Sequence, residues 1–440
     1  MLTRICLSLI LLAPMPVWSQ ETDATEAPSN PADDTRMLVP PPINGDSYPT
    51  AVGSENRSNY LRAGLALNTA YSDNVLGGVS ANPVSDISYS IRPTIELDQT
   101  TSRLHSMLTY SPGFTFYQKT SSRNEADQNL TLDFQDRLSS HITASLRDSF
   151  LKSSSLFNQP VPLSAGGVPG SGEPPPVAVI APVADQLTNA TNVELTYQFS
   201  RSGMIGVSGT FTNLHYPNPS EVPGLYDSTS RGGSAFYNHR LSKKHYLGAS
   251  YRYSRFLAGQ SETQTHTVFV FYTIYLKPTL SLSVSGGPQH FDVAQSPFPP
   301  SGAWSPAATA SMSWQGRRTN FAASYSRVVS GGGGLLGAYH TNTANASARW
   351  QLARTWYVGS NAAYSNYKNV TPLTFLSSPG GHNISGTVSV QHTISGHINA
   401  ELGYTRLHQS YDSISLISNA PNTNREYISI SYQFARPLGR

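Results

Sequence analysis

Apolar and polar side chains alternate along most of this chain with a period of two. In the closing stretch, Ile428, Ile430, Tyr432 and Phe434 fall on one face and Tyr427, Ser429, Ser431 and Gln433 on the other. That period belongs to a β-strand with one apolar and one polar face. From Tyr60 onward the same unit recurs, a strand of roughly ten residues followed by a turn. Leu61, Ala63, Leu65, Leu67, Thr69 and Tyr71 oppose Arg62, Gly64, Ala66, Asn68 and Ala70. Ile87, Tyr89, Ile91, Pro93, Ile95 and Leu97 then oppose Ser88, Ser90, Arg92, Thr94, Glu96 and Asp98. In the third unit Leu104, Leu108, Tyr110, Phe114 and Phe116 oppose His105, Thr109, Ser111 and Thr115.

Further strands are predicted over 128–136, 141–150, 191–200, 204–215, 232–241, 245–256, 265–276 and 279–290. The series continues over 304–315, 318–329, 341–352, 355–367, 382–394, 396–408 and 425–434, about eighteen strands in all. Their connections alternate in length. Residues 73–86, 118–127, 151–190, 216–231, 257–264, 291–303, 330–340, 368–381 and 409–424 read as long loops, and the intervening links as short turns. An even number of strands with short turns at one end and long loops at the other describes an all-β, antiparallel up-and-down transmembrane barrel. Helical spacing at i, i+3, i+4 is rare, and no apolar run reaches the length a spanning helix needs. A secreted sandwich or solenoid shares the alternation but not the rhythm of the connections.

The aromatics sort to strand ends. Phe134, Phe199, Trp314, Trp350, Trp356, Tyr432 and Phe434 lie near short turns, while Tyr71, Phe116, Phe150, Tyr253 and Tyr364 lie near long loops. Of these, Phe116, Trp314, Trp350, Trp356, Tyr432 and Phe434 are the clearest candidates for a lipid-facing girdle. Val268 to Leu276 is apolar on both faces and predicts something packed inside the lumen there. Composition agrees: 12% of residues are charged and the mean hydropathy is only −0.30. Half-lipid, half-water strands carry Ser, Thr, Asn and Gln on the wet face, so charge falls without hydrophobicity rising.

Residues 1–20 read as a signal peptide, with Arg4 before the apolar run Ile5 to Leu12. The one cysteine, Cys6, lies in that run, which leaves no thiol for disulfides or metal thiolates after cleavage. Residues 21–58, with Pro40-Pro41-Pro42, read as a disordered periplasmic segment, or alternatively as one that binds an envelope partner. The barrel is set at 59–434 and a periplasmic extension at 435–440. Both termini then lie in the periplasm of a bacterial outer membrane, and the barrel assembly machinery is the expected partner for insertion. The net charge of +3 shows no cluster that would hold nucleic acid.

Candidate lumen-lining charges are Arg62, Arg92, Glu96, Asp98, His105, Asp133, Arg147, Glu194, Arg252, Arg349 and Glu401. They read either as a selecting field across a pore or as locally paired wall charges. The twelve histidines lack metal-site spacing, no Gly-x-Ser-x-Gly stands out, and Gly331 to Gly334 lacks the Lys-Ser/Thr of a phosphate cradle. No catalytic, cofactor or metal residue is assigned. The loop 151–190 carries Val177, Val179 and Ile180 amid Pro and Gly, and reads as a constriction, a lid or a surface loop.

Tyr71-Ser72-Asp73-Asn74-Val75 resembles the Tyr-x-Asp-Asn-Val signature of the type 2 β-barrel porin family, and Tyr110-Ser111-Pro112-Gly113 resembles the strand end that follows in it. The likeness extends over about Asn59 to Phe434. It implies an outer-membrane barrel associated with exopolysaccharide or capsule export. Read from the residues alone, Asp73-Asn74 makes an Asx turn where a strand stops. The expected function is passive passage of polar solutes or exported polysaccharide. The alternatives are a non-conducting barrel whose loops bind surface polysaccharide and an outer-membrane hydrolase.

Overall fold

Eighteen antiparallel strands pair edge to edge and close into a ring. The computed structural model describes residues 59–437 apart from 78–82, 102, 155–156, 158–178, 180–183, 278, 297, 371–379 and 413. The expected leader and Pro-rich segment, as well as Val177 and Ile180, lie outside the described residues. The first half of the ring comprises β1 (Asn59–Ser72), β2 (Asp86–Thr100), β3 (Leu104–Tyr117), β4 (Glu125–Asp136), β5 (Ile142–Ser153), β6 (Gln186–Gln198), β7 (Gly203–His215), β8 (Ser228–Arg240) and β9 (His245–Ala258). The second comprises β10 (Ser261–Lys277), β11 (Leu280–Gln295), β12 (Phe298–Gln315), β13 (Thr319–Gly332), β14 (Leu335–Ala353), β15 (Trp356–Asn369), β16 (Gly381–Thr393), β17 (Ile398–Tyr411) and β18 (Asn422–Pro437). Each strand pairs with its neighbours in sequence, and β18 pairs with β1 from Tyr60↔Pro437 to Ser72↔Arg425. The last strand therefore runs three residues beyond Phe434. Ala435, Arg436 and Pro437 belong to the closing seam, because Arg62, Leu61 and Tyr60 of β1 stand opposite them.

Every strand expected from the alternation is present. Three expected long loops are not. The segments 257–264, 291–303 and 330–340 are strand ends that meet in tight hairpins, with Ala258↔Ser261, Gln295↔Phe298 and Gly332↔Leu335 as their last pairs. The reason is visible on β10, where the outward residues change from Val270 and Val268 to His266, Gln264 and Glu262. The ladder continues, but its outer face turns polar, and the apolar half of the sequence signal ends before the strand does.

The outer wall exposes a band of large apolar side chains, among them Ile428 at 58%, Val270 at 57% and Leu402 at 58%. A water-facing surface does not tolerate a band of this extent, whereas hydrocarbon requires it. Trp314, Trp350, Trp356, Tyr432 and Phe434 are exposed at the tight-turn end, and Tyr71, Phe116 and Tyr364 are exposed at the other. The inner wall is polar and bonded across strands by hydroxyl pairs such as Ser254–Thr265 at 2.8 Å and Ser326–Thr343 at 2.7 Å.

The β12–β13 ladder ends early at a proline. On β12 the even-numbered residues face β13, since the Gly316 N–H next along donates to Thr319 O at the turn. Pro306 occupies such a position and has no N–H to give. Pairing between β12 and β13 stops one step earlier, at Ala308↔Arg327. Val329, the residue Pro306 would have met, donates its N–H to the Gln289 Oε1 on β11 at 2.7 Å and accepts from Gln289 Nε2 at 2.9 Å. Gln289 is 2% exposed and supplies from a side chain what a strand would have supplied from its backbone. Freed from β12, the end of the β13–β14 hairpin folds into the barrel.

Candidate functional site

The in-folded hairpin lies against the inner faces of strands that are not its neighbours in the ring. Gly331 fits under Phe256 of β9 so closely that an added Cβ would stand 1.9 Å from the ring. Val328 packs with Phe269 of β10 and Ala307 of β12, and Val329 and Ala338 pack with Phe291 and Val293 of β11. The Gly337 N–H donates to Ser261 Oγ at 3.1 Å. Gly333 and Gly334 form the two-residue turn, with φ of 55° and 103°, left-handed values that such hairpins need and glycine supplies. This segment, read from the sequence as part of a long loop, is the tip of a hairpin. The Tyr226 N–H donates to Gly334 O at 2.8 Å.

Around that tip the loop end of the barrel holds an apolar cap. Leu335 and Tyr339 from the hairpin meet Leu214, Tyr216, Val222 and Leu225 from β7 and the loop after it. Tyr367, Tyr411 and Ile417 join from the opposite wall, with the Tyr367 and Tyr411 rings stacked at 5.7 Å. Val179, from the connection read as a constriction, a lid or a surface loop, is fully buried in the same cap. The cap is therefore shared between that connection, the 214–225 segment, the opposite wall and the hairpin. Val268 to Leu276 gains its explanation here. The inward Phe269 packs on Val328, and Phe271 fills the space over Gly248 of β9.

The register places all eleven candidate charges on the inner face, opposite the exposed apolar residues. Arg62 donates to Glu96 at 2.5 Å and stands 3.3 Å from Asp98, and His105 Nδ1 lies 2.9 Å from the Thr100 hydroxyl. Arg147 holds Asp133 at 2.8 Å, with Glu194 on the next strand. Glu401 accepts from the Tyr427 hydroxyl at 2.8 Å. Arg349 lies over the Tyr357 ring at 4.6 Å and Arg252 over Phe269 at 5.7 Å. Seven of the eleven thus form two separate clusters instead of one continuous ladder, and Glu401, Arg349 and Arg252 each meet another neighbour.

Arg92 stands apart from both clusters. It enters a cavity of about 250 Å³ at the loop end, lined by residues of β1–β4 and β18 and by Ser154, Phe157, Asp185, Asn218 and Glu221. Arg425, which the candidate charges omitted, enters the same cavity. Its parity with Tyr427 and Ser429 was the available signal. Opposite Arg92 is Gly113, where an added Cβ would stand 3.3 Å from the guanidinium Nε. Arg425 lies over Phe157 at 4.7 Å.

The family-like residues sit at the seam. Asp73 accepts from the Asn424 N–H at 2.8 Å and the Thr423 hydroxyl at 3.0 Å, and the Asp73 N–H donates to Asn424 O at 3.2 Å. Asn74 Oδ1 accepts from the Gly77 N–H at 3.2 Å, which makes the expected local turn. Tyr71 is exposed on the outer face. Among the described residues no three His, Asp or Glu side chains converge as metal ligands.

No family model matches the chain, and no curated protein does. Solved structures similar to it include OpdO from Pseudomonas aeruginosa, at 12% identity over 86% of this chain and 98% of that one, with a TM-score of 0.42. OccAB4 from Acinetobacter baumannii is similar at 8% identity over 87% and 100%, with a TM-score of 0.41. The FrpB iron transporter from Neisseria meningitidis is similar at 9% identity over 85% and 81%, with a TM-score of 0.39.

Proposed function

We propose that this barrel is a passive channel for small polar solutes in a bacterial outer membrane, with its tight turns and both termini on the periplasmic side. The observation that carries the reading is the polar, hydroxyl-lined inner wall of a closed eighteen-stranded ring whose outer wall is apolar. Rings of this strand number enclose water unless something fills them. Here the β13–β14 hairpin and the loop cap narrow the mouth and leave the polar side formed by β1–β4 and β18. Size exclusion at the cap and weak contacts along the wall then select solutes, with no bond chemistry. Passage of a polysaccharide, which the likeness to type 2 porins implies, asks in addition that the cap move aside.

The apolar cap also favours a second reading, a closed structural or adhesive barrel. Planar-bilayer recording of the refolded protein separates the two. Discrete conductance steps are expected for the channel. Silence from both the intact protein and a variant lacking residues 155–187 would leave the closed barrel standing.

A further inference from the structure

We propose that the outer wall binds the phosphate of an outer-leaflet glycolipid between Arg327 and Lys368, at the opening between β12 and β13. The proposal rests on the loop end being the outermost one and is independent of whether the barrel conducts.

Tyr325 of β13 and Tyr364 of β15 stand in one row on the outer face, joined through Ala344 of β14, and both are exposed. Arg327 has the same parity two residues toward the loop end, and Lys368 four residues. Both cations are exposed, so they project just beyond the aromatic level, where a bilayer carries its headgroups. The ladder between β12 and β13 ends at Ala308↔Arg327, and above that pair the hairpin turns inward. His340 floors the gap so left. It stands opposite Lys368 in the register, with its Nδ1 3.4 Å from the Ser305 hydroxyl of β12. The charges of Arg327 and Lys368 both bear on that ring. Asn342 lies level with Arg327, and its Oδ1 accepts from the Tyr325 hydroxyl at 3.2 Å, which leaves Nδ2 as a donor.

Neither Arg327 nor Lys368 forms an ion pair among the described residues, although other outward cations do. Arg255 is held by Glu262 at 2.8 Å, and His290 faces Asp292 at 3.4 Å. Asp292 stands well above the opening, opposite Gly302 near the end of β11. Asp412, just past the end of β17, is the acid level with Lys368, and Gly380 lies between them. One carboxylate at that edge does not neutralise two cations, and the connection 371–379 carries no acid. A phosphate monoester brings about two negative charges and three acceptor oxygens, a match for a guanidinium fork, an ammonium and an amide N–H. A free ion would be held weakly at so exposed a place. A lipid is different, because its acyl chains lie on the apolar band and present the phosphate at this height at high local concentration. Trp304 of β12, 71% exposed, adds an amphipathic ring beside the opening.

The test titrates diphosphoryl lipid A, the same lipid A stripped of its phosphates, and inorganic phosphate separately into the refolded full-length protein in detergent, read by native mass spectrometry. Diphosphoryl lipid A is expected to bind about tenfold or more tighter than the stripped lipid, the loss of charge-assisted hydrogen bonds. The double variant Arg327→Gln/Lys368→Gln is expected to lose the same factor. Arg231→Gln, which removes an outward cation from β8, is expected to leave the affinity unchanged. Equal binding of the two lipids would overturn the proposal, and this comparison needs no altered protein. Unchanged affinity in the double variant would also overturn it, as would an equal loss in Arg231→Gln. Phosphate binding as tight as that of lipid A would mean a free-ion site and overturn the lipid. Bilayer conductance of the double variant is expected to match wild type, since both side chains face away from the lumen. A silent barrel that binds lipid A keeps the site and loses the channel, and a conducting one that fails to bind it keeps the channel and loses the site.

Discussion

A single carboxylate fastens the first strand to the last. Asp73 takes hydrogen bonds from Asn424 and Thr423, 351 and 350 residues away in sequence. Burial acts to raise its pKa, but these bonds and the charge of Arg406 hold the carboxyl below the usual carboxylate range. At the loop end of β2 the Asp86 carboxylate likewise accepts from the Thr120 N–H and hydroxyl and from the Lys119 and Ile87 N–H groups. A carboxylate depressed in the folded state stabilises it above the unfolded pKa of about 4, and that contribution is lost as pH falls through the lower folded value. Asp73→Ala is expected to lower seam stability by about 1–3 kcal/mol at neutral pH, read as a lower urea midpoint. Below about pH 4 the midpoints of wild type and variant are expected to draw together, and a constant gap across that range would contradict the account. At this scale the sequence was legible locally and blind at a distance. The turn at Asp73-Asn74 followed from side-chain chemistry, whereas its partner depended on the ring closing at Asn424. Arg425 was legible by parity alone, but it stood at the very start of the expected strand, and no loop residue yet marked a cavity beside it.

The element that shapes the lumen is a hairpin that leaves the wall, and one missing N–H decides where. Pro306→Thr restores the donor facing Val329, so the β12–β13 ladder can climb and draw the hairpin back toward the wall. Larger single-channel conductance than wild type is expected, and an unchanged value would mean that packing on Phe256 and Phe291 holds the hairpin without help from the proline. The proline was plain in the sequence. Its effect was not, because it depends on which of the two neighbouring strands each N–H faces and on Gln289 lying within reach. The apolar run Val268 to Leu276 did signal an occupant in the lumen. It did not identify the hairpin, since Gly-rich hairpins and solvent loops look alike until something is found to pack on them.

For the whole molecule, the strand count, ring closure and two faces followed from a period of two together with even parity. Loop lengths followed less well, because strands that rise past the apolar band keep their pairing while losing their outward apolar residues. The cap combines parts from widely separated segments, which predicts how removal of one part acts. Deleting residues 155–187 takes Val179 and Ala184 from the cap and leaves Leu335, Tyr339, Tyr367 and Tyr411. Conductance after that deletion is expected to rise by less than in Pro306→Thr, measured in the same bilayers. A larger rise would shift the main barrier to that connection.

Because the obstruction is made of the wall itself, its reach is set by where one ladder ends. Moving the proline along β12 by two residues would shift the point of departure by about 7 Å while leaving its side chain on the same face. The barrel thus carries a stepwise length setting for its own bore. A related protein could acquire a wider or narrower passage by relocating a single imino acid, with every loop unchanged.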